Sequence, residues 1–237
     1  MAANFPRLIA SLGLLAGLTS FTASVAAGPS LDPARLAQLA RYEVLVFSDP
    51  FKDGIERGKA IGVFDATSEE VFRVATDFSK WSEYLPKVHS SKVVSRAGKV
   101  TLVALIADLP FPVGRRQVFA RYTEERLPGE IYRIRFEMIH GEMRQYLGSV
   151  YIEPWARSGS GPPQTAVTYE LVAEPDIAAP DSTINKAVRR SSSGFVHALR
   201  QHVNDLHRLG LLHPMQPPTV TPPDAMPRGP VTVKASP

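Results

Sequence analysis

The chain has 237 residues, enough for one domain of about 150 to 200 residues with extensions at its ends. Hydrophobic residues make up 44% and charged residues 21% of the chain, a composition that supports a packed core and argues against disorder over most of the length. The absence of cysteine excludes disulfides, thiolate metal sites and cysteine nucleophiles, and a net charge of +4 is too slight to indicate a nucleic-acid partner.

The N-terminal segment, residues 1–27, has the layout of a secretory signal peptide. Its single charged side chain, Arg7, precedes an apolar run from Leu8 to Leu18, and small residues at Val25 and Ala27 suit cleavage directly after Ala27. This run is short for a spanning helix, which needs about 20 apolar residues. We therefore expect an exported, periplasmic or secreted protein. An uncleaved N-terminal membrane anchor is the alternative, because no charge follows Arg7 in the segment.

The next segment, residues 28–54, is predicted to be a helical extension. Asp32 can cap a helix with Pro33 at its first position, and the apolar spacing continues until Asp49-Pro50. Alternating residues then predict a strand over 60–66, and Ser68 is expected to cap a second amphipathic helix.

From Val88 to Leu171, runs of β-branched and aromatic residues are broken by turn residues, which predicts an antiparallel sheet. Three hairpins are expected, with strands over 88–96 and 100–107, over 117–125 and 130–139, and over 145–153 and 165–172.

Asp181 is predicted to cap a long C-terminal helix, because apolar residues follow it at helical spacing. Ser191 and Ser192 interrupt this apolar stripe, which either leaves room beneath the helix or marks two tolerated polar residues. Residues 214–237 contain eight prolines and are predicted to be a disordered, Pro-rich tail.

The predicted elements give an α+β fold in which a curved antiparallel sheet wraps around the long C-terminal helix. Four stretches carry a family pattern: Gly58-Lys59-Ala60 through Trp81-Ser82-Glu83-Tyr84-Leu85-Pro86, Asp108 through Phe119 with Pro-Phe-Pro-Val-Gly-Arg-Arg at its centre, Thr168-Tyr169-Glu170, and Pro180 with Ile184-Asn185-Lys186. Together they resemble the START-type lipid-transfer domains of the polyketide cyclase-like (SRPBCC, helix-grip) superfamily. The START-like domain is expected to span residues 55–213.

This resemblance implies a deep apolar cavity between the sheet and the C-terminal helix that holds a lipid or another elongated hydrophobic molecule. The residues expected to contact the ligand are Arg116, Val118, Tyr122, Phe136, Ile184, Val188, Phe195 and Leu199. Leu109, Phe111 and Val113 lie in an apolar connection between strands. They are expected to form a gate or a membrane-contacting tip, or else a loop that packs over the core.

Arg116 is expected to face the apolar side of its strand, because it alternates with Val118 and Tyr122. A buried guanidinium needs a partner. In the family the corresponding arginine often pairs with an acid on the preceding strand, but residues 100–107 contain none. Asp108 or Glu170 could substitute as a structural ion pair; otherwise the partner would be a ligand head group.

Enzyme signals are weak. The six histidines form no H-E-x-x-H motif, and the adjacent acids of Glu69-Glu70 and Glu124-Glu125 diverge on a helix or strand. The sequence therefore favours a monomeric carrier without metal or cofactor. A cyclase, aromatase or hydrolytic enzyme using the same cavity is the alternative, and a scaffold that recruits partners through the tail is a third possibility. Five cations on the last helix could favour contact with an anionic membrane: Lys186, Arg189, Arg190, Arg200 and Arg208.

Overall fold

The computed structural model describes residues 32–109, 114–155 and 162–212. Its elements in chain order are α1 (Pro33–Ala40), β1 (Leu45–Lys52), β2 (Ile55–Phe64), α2 (Ser68–Ala75), a 3-10 turn (Phe78–Lys80), α3 (Trp81–Tyr84), β3 (Val88–Ala97), β4 (Val100–Leu109), β5 (Gly114–Leu127), β6 (Ile131–Gly141), β7 (Met143–Pro154), β8 (Thr165–Pro175) and α4 (Asp181–Arg208). The predicted leader and Pro-rich tail lie outside the described residues.

The eight strands form one antiparallel sheet with the order β1-β2-β8-β7-β6-β5-β4-β3. The sheet is open, since β1 and β3 lie at its two edges, and its concave face holds α4. The predicted α+β helix-grip fold is confirmed. All three predicted hairpins are present as β3–β4, β5–β6 and β7–β8, with strands a few residues longer than expected.

The helical extension is much shorter than predicted. Helix α1 ends at Ala40, and Tyr42 then takes a left-handed φ of 62°, which no helix continues through. The chain re-enters as strand β1, whose Leu45 packs with Ile61 on the outer face of the sheet. The prediction of a helix up to Asp49-Pro50 was therefore wrong beyond residue 40. Pro50 is accommodated because β1 is an edge strand.

Helix α2 begins one residue earlier than predicted. Thr67, not Ser68, is the N-cap: its backbone is extended and its hydroxyl accepts a hydrogen bond from the Glu70 amide at 3.2 Å. The Glu70 carboxylate accepts from the Thr67 amide at 2.8 Å, which completes a capping box. The Ser68 hydroxyl instead lies 3.3 Å from that of Thr165 on β8.

Helix α4 lies directly on β2 because the strand presents glycines to it. A Cβ at Gly58 would be 2.7 Å from a Val188 methyl, and one at Gly62 would be 2.6 Å from a Val196 methyl. Ser192, between these two valines, also meets Gly58 and donates to the Val188 carbonyl at 3.0 Å. The helix is therefore seated toward one side of the concave face, over β2 and β8.

The rest of the concave face is partly filled by aromatic rings. Tyr122 on β5 is fully buried, and its ring lies 4.6 Å from Phe78, 5.3 Å from Trp81 and 5.5 Å from Phe136, between ring centroids. These rings close one part of the space between sheet and helix and leave another part open.

Candidate functional site

The open part is a cavity of about 130 Å³ under the N-terminal half of α4. Its walls come from α3 and the turn after it, from β3, β4, β5, β7 and β8, and from α4. Nearly all of the wall is apolar, with Leu85, Val88, Leu171 and Ile184 among the lining residues. The cavity exists because α4 lies close to β2 and farther from β3 and β4, which leaves a gap between the helix and that side of the sheet.

Four of the residues expected to contact a ligand line this cavity: Val118, Ile184, Val188 and Phe195. The ring of Phe195 stacks on Tyr169 with centroids 4.1 Å apart, so it forms a rigid wall. Their role in binding remains a prediction.

Three other expected contact residues do not reach the cavity. Tyr122 and Phe136 belong to the aromatic cluster that closes part of the concave face, and Leu199 is fully buried one turn of α4 beyond Phe195. Their inward direction follows the predicted alternation and helical spacing. The extent of the cavity along the concave face depends on how aromatic rings from distant elements pack together. A sequence pattern does not predict this packing.

Arg116 lies on the inward face of β5 as predicted, in register with Ala107, a lining residue, but it is only half-buried and does not line the cavity itself. Its guanidinium donates to the Arg115 carbonyl at 2.8 Å. Neither proposed carboxylate is its partner. Asp108 pairs with Arg115 at 2.9 Å, and Glu170 pairs with Lys59 at 2.6 Å. Both acids are therefore already engaged.

The mouth of the cavity lies where the exposed lining residues are, at Pro86, Lys87 and Thr183. Leu109, from the predicted gate, lines the same cavity at the end of β4. Phe111 and Val113 lie outside the described residues, so the gate stays a prediction.

Three tyrosine hydroxyls lie close together near the buried part of the cavity. Tyr146 and Tyr169 line it, and the Tyr146 hydroxyl is 3.3 Å from that of Tyr122. Burial raises the pKa of all three phenols, and the neighbouring tyrosine hydroxyls add to the rise for Tyr122 and Tyr169. These groups therefore stay neutral hydroxyls across the physiological pH range.

Sequence reasoning did not identify Tyr146, Tyr169 or Gly194 as lining residues. The serines that interrupt the apolar stripe of the last helix did indicate room beneath it, because Ser191 lines the cavity. For Tyr146 no local signal exists, since an inward tyrosine on a strand is usually core.

The described lining residues include no histidine, aspartate or glutamate, and Lys87 is their one charged side chain. No group of three or more metal-ligating side chains occurs among the described residues. No helix within the ranges given above has the length and apolar character needed to cross a bilayer. The site as described offers an apolar wall with a few hydroxyls.

Three of the five cations noted on the last helix have partners within the chain. Arg189 pairs with Glu56 at 2.5 Å, Arg200 donates to the Tyr42 carbonyl at 2.8 Å, and Arg208 pairs with a neighbouring aspartate on α4. Lys186 and Arg190 are exposed.

In a comparison with known families, residues 64–200 match the family described as polyketide cyclase / dehydrase and lipid transport. The match covers more than half of the chain. The chain belongs to this family. The START-like, SRPBCC resemblance of the sequence is thereby confirmed. No curated protein matches the chain at a significant level.

Several solved structures share the fold. A STAR-related lipid transfer protein from Xanthomonas axonopodis is 18% identical with a TM-score of 0.58, over 68% of this chain and 93% of that one. Human StAR-related lipid transfer protein 5 is 11% identical with a TM-score of 0.56, over 73% and 93%. The Zhui aromatase/cyclase from Streptomyces is 13% identical with a TM-score of 0.51, over 65% and 96%. At these identities the likeness concerns the fold.

Proposed function

We propose that this family member is an exported carrier that binds one hydrophobic molecule, a lipid or a similar elongated ligand, in the cavity under α4. The observation that carries the proposal is the apolar cavity itself, lined by Val118, Ile184 and Phe195 from both the sheet and the helix. The family description includes lipid transport, and two of the structural neighbours are named as lipid transfer proteins.

Binding would be driven by desolvation. Each methylene that leaves water for the cavity contributes about 0.8 kcal/mol. The volume of about 130 Å³ is below the range of about 300 to 1,000 Å³ found for pockets that enclose drug-sized ligands. An apolar cavity of about 150 Å³ holds a benzene-sized molecule. In this conformation the cavity therefore accommodates one end of a ligand, and a longer chain leaves through the mouth or requires α4 to move outward.

Small residues on α4 leave room for a ligand next to the helix. Ala187, Ser191 and Gly194 face the cavity, and a Cβ added at Gly194 would meet no atom within 4 Å. A large side chain at any of these positions would occupy part of the cavity.

A cyclase or hydrolase that uses the same cavity is the second candidate, supported by the family description and by the Streptomyces neighbour. Such chemistry usually needs an acid/base pair that converges on the substrate. The described lining residues offer only tyrosine, serine and threonine hydroxyls and Lys87 near the mouth. The raised pKa of Tyr146 and Tyr169, caused mainly by burial, makes these phenols poor bases near neutral pH. This chemistry favours binding over catalysis.

Native mass spectrometry of the full chain after gentle purification tests the proposal. We expect a mass increment from a bound hydrophobic molecule that disappears under denaturing conditions, which are the control for covalent adducts. The protein mass in the same spectra reports whether residues 1–27 are removed, as export predicts. A mass without increment, both as purified and after incubation with a lipid extract, would contradict carriage. If the ligand-free protein instead turned over an aromatic precursor, the result would support the second candidate function, a cyclase or hydrolase.

A further inference from the structure

The buried wall of the cavity contains one polar group that no part of the described chain satisfies. Tyr169 is 6% exposed, and its side chain lies on the inward face of β8 between Val167 and Leu171, both buried. None of the hydrogen bonds within the described residues involves its hydroxyl, although every fully enclosed side-chain oxygen or nitrogen there has a partner. The hydroxyl therefore faces open space, and the open space next to Tyr169 is the cavity.

The direction of this hydroxyl is fixed by ring packing. The Tyr169 ring stacks on Phe195 with centroids 4.1 Å apart and planes 15° from parallel, and it also stacks on Phe136 at 6.0 Å. A ring held on two sides presents its oxygen in one place, so a ligand atom that meets it gains a hydrogen bond without ordering the side chain.

A second hydroxyl lies nearby. Tyr146, which also lines the cavity, is 3.3 Å from Tyr122 between hydroxyl oxygens. A hydroxyl has one donor and two acceptor sites, so this pair leaves at least one acceptor site of Tyr146 unused. The hydroxyls of Tyr146 and Tyr169 thus offer both donor and acceptor capacity to a ligand.

No charge complements an anion or a cation at this end of the cavity. Glu170, next in sequence to Tyr169, points to the other face of the sheet and pairs with Lys59 at 2.6 Å. Lys87, the charged residue of the described wall, is exposed near the mouth. An ionised group would lose its hydration here without a counter-charge, which is costly, whereas a neutral oxygen needs only a hydrogen bond.

We propose that the buried end of the cavity selects ligands whose inner end carries a neutral oxygen, a hydroxyl or a carbonyl, and that Tyr169 is the residue that recognises it, assisted by Tyr146. This inference rests on the proposed function, since it assigns the chemistry of the ligand that the cavity holds. It distinguishes such ligands from plain hydrocarbons and from those that insert a carboxylate first.

The test uses two small aromatic probes that differ at one substituent, p-cresol and p-xylene, with 4-methylbenzoate as the anionic counterpart. Affinities are measured by calorimetry for the full chain and for Tyr169→Phe, which removes one oxygen and no packing. A neutral hydrogen bond corresponds to a change of about threefold to tenfold in affinity. We expect Tyr169→Phe to lower the affinity for p-cresol by that factor and to leave the affinity for p-xylene unchanged. The benzoate is expected to bind more weakly than p-cresol.

Tyr151→Phe is the matched control, because Tyr151 lies on the outer face of the neighbouring strand β7 and does not line the cavity. It should leave both affinities unchanged. NMR titration of the unaltered chain gives a second readout. The ¹³Cζ resonance of Tyr169, assigned by its absence in Tyr169→Phe, should shift when p-cresol is added and should not shift when p-xylene is added.

The outcomes separate the inference from the proposed function. If neither aromatic probe binds the unaltered chain, the cavity is not a hydrophobic site and the proposed function fails. If both probes bind but Tyr169→Phe changes them equally or not at all, carriage stands and the role of Tyr169 is refuted. Tighter binding of 4-methylbenzoate than of p-cresol would refute the preference for a neutral oxygen.

Discussion

Glu70 joins the start of α2 to the end of α4. The residue is 4% exposed, and its carboxylate accepts from the Thr67 amide and hydroxyl at 2.8 Å each and lies 3.3 Å from His207. Burial raises the pKa of this carboxyl, but the hydrogen bonds from Thr67 and the nearby His207 outweigh it, and the resulting pKa is below the ordinary value. The ionised form of Glu70 therefore stabilises the fold.

The sign of the pH dependence follows from that lowered pKa. The stabilisation is complete above the unfolded-state pKa, near about 4.3 for glutamate, and is lost as the pH falls through the lower folded-state value. We expect Glu70→Gln to reduce the free energy of unfolding by about 1 kcal/mol at pH 6, the usual scale for a helix cap. Urea unfolding of both proteins between pH 6 and pH 3 should show the difference shrink toward the acid end.

Glu83→Gln is the control for this series, since Glu83 forms only an exposed ion pair with Lys80. It should change the free energy of unfolding by less than about 1 kcal/mol at every pH. A difference between Glu70→Gln and the unaltered chain that stays constant or grows toward pH 3 would contradict the assigned role of the carboxylate.

At the scale of elements, the contact between α4 and β2 decides where the cavity lies. A Cβ at Gly62 would lie 2.6 Å from a Val196 methyl, so a side chain there pushes the helix off the strand. We expect Gly62→Ala to lower the free energy of unfolding by about 1 to 3 kcal/mol, the usual cost of overpacking. Denaturant unfolding at pH 7 measures it.

Gly194→Ala is the matched comparison, because Gly194 lies on α4 itself and has no atom within 4 Å of the added Cβ. Replacing a helical glycine by alanine adds about 0.5 to 1 kcal/mol of stability, so this variant should be more stable than the unaltered chain. Equal destabilisation by both substitutions would mean that close approach of α4 to β2 does not position the helix.

The strands and the long helix were predictable because their signals are local. Inward residues of β5 alternate, with Val118, Ala120 and Tyr122 all buried, and α4 repeats its apolar residues at helical spacing. The resemblance to the family added the helix-grip arrangement. The extent of α1 was not predictable, because its end depends on Leu45 packing against Ile61 on a strand that follows.

The site was predictable only in part, for the same physical reason. Val188 and Phe195 were identified because any inward residue on the helix was a candidate. The division between open cavity and closed core depends on contacts between residues far apart in sequence, such as Gly62 with Val196 and Phe78 with Tyr122. No pattern within a single element encodes those distances.

For the whole molecule, one sheet serves two purposes. Its outer face at β1 and β2 binds α1 through a small separate cluster of Leu39, Leu45, Ile61 and Val63. Its concave face carries the main core and leaves a cavity of about 130 Å³ beside the aromatic cluster. Val118, Val188 and Phe195 belong to that core and also line the cavity, so the packing that stabilises the fold also holds the cavity wall in place.

The most direct test of this arrangement is the affinity of N-phenyl-1-naphthylamine, an uncharged fluorescent probe, for the full chain, for Gly194→Leu and for Gly194→Ala. Leucine at this position occupies room for about two methylenes of ligand, and at about 0.8 kcal/mol each this corresponds to about a tenfold loss of affinity. We expect Gly194→Leu to lose binding by that factor and Gly194→Ala to stay within about twofold. Unchanged binding in Gly194→Leu would place the hydrophobic site elsewhere, and no binding to any of the three would contradict carriage in this cavity.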